Sequence, residues 1–357
     1  MEAQSHPTLD LAELLGESWT HIEAARALSR ETLSELRAAL ADSDSDDACI
    51  IVSGSLGREE FTRGSDIDWT LLVDGIADPN HHSLFLDAKH KIGELAKKGV
   101  GREGTFAAIV SSHDLIHNIG GEDDTNKNLT RRLLLLLESQ PIGRSLPHER
   151  VTKNILKRYL FEDLSFWRGT TIHRHYIPHF LLNDFARLWR TMAVDFAYKL
   201  RTRPGEGWAM RNIKLRMSRK LLYAAGLLGC FRCHLDFDAK DRDDVYLDPG
   251  NRTPILEYVD EIFWDSPLDI VSKYLRKNRH LDATSRKLFG AYNNFLGILG
   301  DEVQREHLEK LGETSAHSDD IYKNARDASH AFRDALLELF FDEKTGLAEL
   351  TRLYAVF

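Results

Sequence analysis

Gly54-Ser55-Leu56-Gly57-Arg58-Glu59-Glu60-Phe61-Thr62-Arg63-Gly64-Ser65-Asp66-Ile67-Asp68 is the stretch on which the reading of this 357-residue chain turns. An apolar, β-branched run over 48–53 precedes it and a second apolar run over 67–73 follows, so it reads as a connection between two short strands. Gly54 lets the backbone approach an anion with no Cβ in the way. The Ser55 hydroxyl and the amides opening a helical turn over 56–61 are donors for that anion. In a strand, residues two apart share a face. Asp66 and Asp68 therefore project together, while Ile67, Trp69, Leu71 and Val73 point to the opposite, apolar side. Two adjacent carboxylates repel unless a cation sits between them, and an oxygen-preferring divalent ion such as Mg²⁺ or Mn²⁺ is the natural occupant. Arg58 has two readings, a phosphate ligand or a partner for Glu59 or another acid.

Outward from this stretch, residues 9–40 carry helical apolar spacing and end in the polar loop 41–47. After the strand 67–73, closed by Asp74-Gly75, the pattern gives a helix over 81–98 and a third strand over 105–110. Beyond residue 126 only helical patterns remain: 129–139, 151–167, 179–203, 210–228, weaker ones over 254–281 and 285–311, and a last one over 318–341. The expected protein is of the α+β class, with an N-terminal helical segment 1–47, an α/β domain 48–125 and a large all-α region 126–357.

Composition narrows the function classes. Hydrophobic residues make up 42% and charged residues 29%, which predicts a folded core. A net charge of −9 argues against a chain devoted to bulk nucleic acid. Three cysteines give no disulfide framework and suit a reducing compartment. The start lacks the features of a signal peptide, and the leucine run 133–137 is too short to span a bilayer. A cytoplasmic protein without a membrane segment is expected.

Gly54-Ser55-Leu56-Gly57-Arg58 followed by Ser65-Asp66-Ile67-Asp68 resembles the signature of the DNA polymerase β-like nucleotidyltransferase superfamily. Its form is similar to the bacterial signalling branch, which includes the glutamine synthetase adenylyltransferases and PII uridylyltransferases. The resemblance covers about residues 48–115. It implies a nucleotidyltransferase domain with a mixed sheet, in which Gly54-Ser55 holds a nucleoside triphosphate and Asp66 and Asp68 bind metal. The family's third carboxylate normally comes from the next core strand, but 105–110 contains no acid. Glu103 at the strand entrance is the first candidate, Asp114 just past the strand is the second, and the third alternative is that no such ligand exists. The activity implied is metal-dependent transfer of AMP or UMP from an NTP to an acceptor, with pyrophosphate release. The signalling-type signature and the acidic balance favour a protein hydroxyl over an RNA end or a small molecule. The alternative is a catalytically impaired nucleotide-binding regulatory module.

Further candidates lie outside this region. Lys214 and Ser218, four apart on a basic helix, share a face and could meet a triphosphate; a solvated basic face is the other reading. Asn183, Arg187 and Arg190 form a polar stripe, with Asp184 and Arg187 expected to pair. His173, His175 and His179 fall short of a zinc ligand set, Cys230 and Cys233 form a lone C-x-x-C, and His113-Asp114 reads as a loop or cap.

Overall fold

The computed structural model describes residues 6–41, 43, 45–96, 108–168, 175–202, 207–237 and 252–355. The chain divides into two compact units, one formed by Met1–Ala25, Ser165–Leu247 and Pro267–Phe357, the other by Arg26–Leu164 and Asp248–Ser266. Each unit is built from segments distant in sequence, and helices on both sides of the motif, Thr20–Ala39 before it and Asn126–Leu137 after it, supply residues against its sheet.

In the second unit, β1 (Ala48–Ser53) and β2 (Asp68–Val73) pair antiparallel, with Ser53 opposite Asp68 and Ala48 opposite Val73. A short β3 (Ile109–Ser111) runs parallel to β2, and β4 (Gln140–Pro141) runs antiparallel to β1, giving a mixed sheet of order β3-β2-β1-β4. The part of the expected third strand before residue 108 lies outside the described residues. One face carries Ile50, Val52, Ile67, Trp69, Leu71 and Val73. It packs with Leu33 and Leu36 of the helix Thr20–Ala39, with Leu40 just past its end, and with Ala88 and Ile92 of the helix Pro79–Leu95. On the other face Ile51, Ser53, Thr70, Leu72 and Val110 meet Leu115, Leu134 and Leu135. Both faces are covered, so β1 is buried along its whole length. That explains its continuous rather than alternating apolar run.

The first unit is helical among its described residues. The helix Ser218–Leu235 is apolar on nearly every side and buries Leu221, Leu228 and Phe231. The helices Asp282–Gly300 and Asp320–Phe340 share an aromatic core of Tyr292, Phe295 and Phe332. The single helix expected over 210–228 is two, Trp208–Arg216 and Ser218–Leu235, broken at Met217 with φ −107° and ψ −90°. No helix among the described residues is long and apolar enough to cross a membrane.

Candidate functional site

The antiparallel register brings the end of β1 beside the start of β2, so Gly54-Ser55 and the two aspartates share one end of the sheet. Gly54 has φ +66°, and a Cβ placed there would lie 2.6 Å from Asp68 Oδ2. Only glycine satisfies both demands, the left-handed backbone and the close carboxylate. Ser55 and Asp68 are half-buried and Asp66 is exposed, which leaves these side chains accessible around the turn. Upstream of Asp66, the Ser65 amide donates to Thr62 O (2.8 Å), and the two hydroxyls lie 3.0 Å apart. A closed turn thus leads into the first aspartate.

The helix expected over 56–61 is one turn, Gly54–Gly57, and it ends in a tight cap. Glu59 N–H donates to Leu56 O (3.1 Å) and Glu60 N–H to Ser55 O (2.7 Å), with Glu59 itself at φ +60°. These are the paired bonds of a Schellman cap, with glutamate where glycine is usual. The Glu59 carboxylate lies 3.3 Å from the guanidinium of Arg26, which is buried in the same unit. That pairing offsets the backbone cost of a left-handed non-glycine residue.

Arg58 takes the structural alternative. Its Nε donates to Glu60 Oε2 at 2.8 Å, and its NH1 pairs with Glu138 Oε2; both glutamates are buried. The guanidinium therefore joins two buried carboxylates, Glu60 and Glu138, as the acid-partner reading has it. Gly57 is structural too, because a Cβ there would meet the Glu138 carbonyl oxygen at 1.9 Å. Sequence reasoning missed Arg26, Glu60 and Glu138. Glu138 is 80 residues from Arg58, and no local pattern could have signalled the pair.

The third carboxylate divides differently. Glu103 lies outside the described residues. Asp114 lies in the helix Ser112–His117 that follows β3, whose last residue Ser111 is level with Val73. Asp68 starts β2 and Val73 ends it, a separation of about 17 Å at the usual rise per residue. The Asp114 side chain is exposed beside His113 at 3.6 Å, and both residues lie within the helix, which is capped by Ser111, not in the loop or cap expected for them. Among the described residues no group of three histidine, cysteine or acidic side chains is placed to hold a metal ion.

Lys214 and Ser218 belong to the other unit. The break at Met217 separates them, and Ser218 is buried with its hydroxyl donating to Lys214 O at 3.2 Å. That hydroxyl closes a helix junction rather than facing an anion, which corrects the expectation of one continuous ligand face. Asp184 and Arg187 approach to 3.9 Å as expected. His173 lies outside the described residues. His175 instead joins His234 and Tyr354 in an aromatic cluster, with ring centroids 4.6 and 5.8 Å away. Cys230 and Cys233 are both fully buried, and burial pushes the Cys233 thiol up to about 12, so neither is poised for redox chemistry.

No family model and no curated protein matches this chain.

Proposed function

We propose that the β1–β2 end binds a nucleoside triphosphate with a divalent cation and transfers its NMP to an acceptor hydroxyl, with loss of pyrophosphate. The observation that carries this reading is the fit of Gly54 to Asp68. A left-handed glycine whose missing side chain leaves room for a half-buried carboxylate is a specific arrangement, and a surface turn has no need of it. Asp66 and Asp68 would hold Mg²⁺ or Mn²⁺, for which an all-oxygen anionic donor set is suited. When bound, such an ion neutralises charge on the phosphates and on the developing oxyanion. Ser55 supplies a hydroxyl donor to the outer phosphates, Gly54 lets the backbone come close to them, and Arg58 keeps the turn in shape through Glu60 and Glu138. A protein hydroxyl is the acceptor class favoured by the acidic charge balance and the form of the motif.

The test is incubation with Mg²⁺ and each labelled NTP over a panel of protein, RNA and small-molecule acceptors. Pyrophosphate release that disappears in Asp66→Asn/Asp68→Asn supports transfer. The absence of a third clustered ligand among the described residues favours a second reading, a nucleotide-binding regulatory module. Tight NTP binding without turnover across the whole panel would establish that reading and exclude the first.

A further inference from the structure

Five basic side chains of the helical unit converge where Trp208–Arg216, Ser218–Leu235 and Asp320–Phe340 meet. Arg326, His330 and Arg333 recur at helical spacing along one face of the last of these helices. Arg216 and Lys220 come from the other two. Arg216 Nε donates to Asn212 Oδ1 at 2.7 Å, and its NH1 lies 3.4 Å from His330 Nε2. The Tyr322 hydroxyl holds the same Asn212 oxygen at 3.0 Å. So the guanidinium of Arg216 is oriented by an amide and an imidazole, with no carboxylate.

The nearby acids balance this charge only in part. Arg333 pairs with its neighbour Asp334 at 2.6 Å, and Arg326 lies 3.8 Å from Asp327. Neither Arg216 nor Lys220 has a carboxylate within ion-pairing distance among the described residues. Burial, reinforced by Arg216 and Arg333, pushes the Lys220 ammonium below its ordinary range. Burial and the three arginines do the same to His330. Two half-buried cations, Arg216 and Lys220, near each other without a carboxylate are unfavourable, and an anion seated beside them would relieve the repulsion.

We propose that Arg216, Lys220, His330, Arg326 and Arg333 form a binding site for a phosphate-bearing small molecule. Guanidinium groups give paired donors to phosphate oxygens, and a recessed lysine adds a compact point charge. Recession of Lys220 and Arg216 between helices suits a small anion better than the outward-facing backbone of a polynucleotide, and the chain's net charge of −9 points the same way. The site is built entirely from the helical unit and does not depend on the function proposed for Asp66 and Asp68.

Calorimetric titration of the full chain with inorganic pyrophosphate, without divalent cation, tests it. The expected result is one saturable site, weakened roughly tenfold in Lys220→Gln and in Arg333→Gln, as loss of one charge-assisted contact implies. Affinity should be unchanged in Lys310→Gln, an exposed lysine paired with Glu306, and in Asp66→Asn/Asp68→Asn. Arg333 is half exposed, so its substitution keeps the test sound if Lys220→Gln folds poorly. Pyrophosphate affinity that survives both basic substitutions would overturn the proposal, as would its loss in the aspartate variant. Displacement of pyrophosphate by oligonucleotides, with affinity rising with their length, would assign the surface to nucleic acid instead.

Discussion

Gly54 and Gly57 stand three residues apart in one turn and meet different physical demands. A Cβ at Gly54 meets the end of a side chain, Asp68 Oδ2, on a backbone at φ +66°. Gly54→Ala should therefore cost about 1–2 kcal/mol of left-handed strain while pushing the Asp68 carboxylate aside. A Cβ at Gly57 meets a backbone carbonyl oxygen at 1.9 Å, which no rotamer change relieves. Gly57→Ala should lose more stability, on the order of 3 kcal/mol, because β4 and the preceding helix end must shift. Urea denaturation paired with NTP-binding measurements separates the two: Gly54→Ala folded but defective in binding, Gly57→Ala defective in folding first. Equal stability losses in the two variants would contradict this assignment.

Between elements, Arg58 ties the turn after β1 to the end of the helix Asn126–Leu137, where Glu138 is the C-cap. Removing it leaves Glu138 buried without its counter-charge, a change that typically costs about 3–5 kcal/mol. A buried carboxylate without a counter-charge takes up a proton more readily in the folded state than in the unfolded one, so the variant gains stability as pH falls. Arg58→Ala should consequently be more destabilised at pH 8 than at pH 5, in thermal melts compared with the parent at each pH. A variant that keeps parental stability but loses nucleotide affinity would return Arg58 to the phosphate-ligand role. The buried pair Arg132–Asp124 has the same architecture nearby. Arg132 donates to both carboxylate oxygens, at 3.1 and 2.9 Å, and to the Tyr159 hydroxyl at 2.7 Å. The Gly120 amide also donates to Asp124 at 3.0 Å, which fixes the loop that carries Gly120 and Gly121.

At the scale of the whole chain, acid sensitivity and thiol chemistry follow from burial. His148 is enclosed against Trp264 with Nε2 2.8 Å from Ser139 Oγ, and burial, opposed by Glu149, pushes its imidazole down to about 4. The unfolded chain binds this proton near 6.5 and the folded one does not. Stability is therefore complete above pH 6.5 and declines as pH falls toward 4, by about 3 kcal/mol over the window. Replacement by glutamine should flatten that part of the stability–pH curve, whatever it does to the plateau. Cys49 lies in the sheet-bearing unit and Cys230 and Cys233 in the helical one, and all three are buried. Native protein should leave them unreactive toward a thiol reagent, and denaturant should release all three. Mass-spectrometric mapping of the labelled sites would then report the opening of each unit separately. Rapid native labelling of any one would contradict its burial.

Local pattern alone determined that Ala48–Ser53 and Asp68–Val73 are strands, that Ile67, Trp69, Leu71 and Val73 face a core, and that a Gly-Ser turn joins the two strands. Each of these depends on alternation or turn geometry within a few residues, which is information a sequence carries. What the sequence left undivided was the role of each motif residue. Arg58 could meet a phosphate or an acid by local reasoning, and the choice fell to Glu138, placed beside it only by the packing of a distant helix end. Asp114 was admissible by spacing, and only the parallel register of β3, a long-range pairing, sets the strand before it level with the far end of β2 from Asp68. The basic face over Arg216 and Lys220 was visible as charge, but its lack of carboxylate partners depends on the helix Asp320–Phe340 lying against it. Tertiary structure decided these points because burial, counter-charge and register are properties of neighbours in space, and neighbours in space here lie 80 and 114 residues apart in the chain.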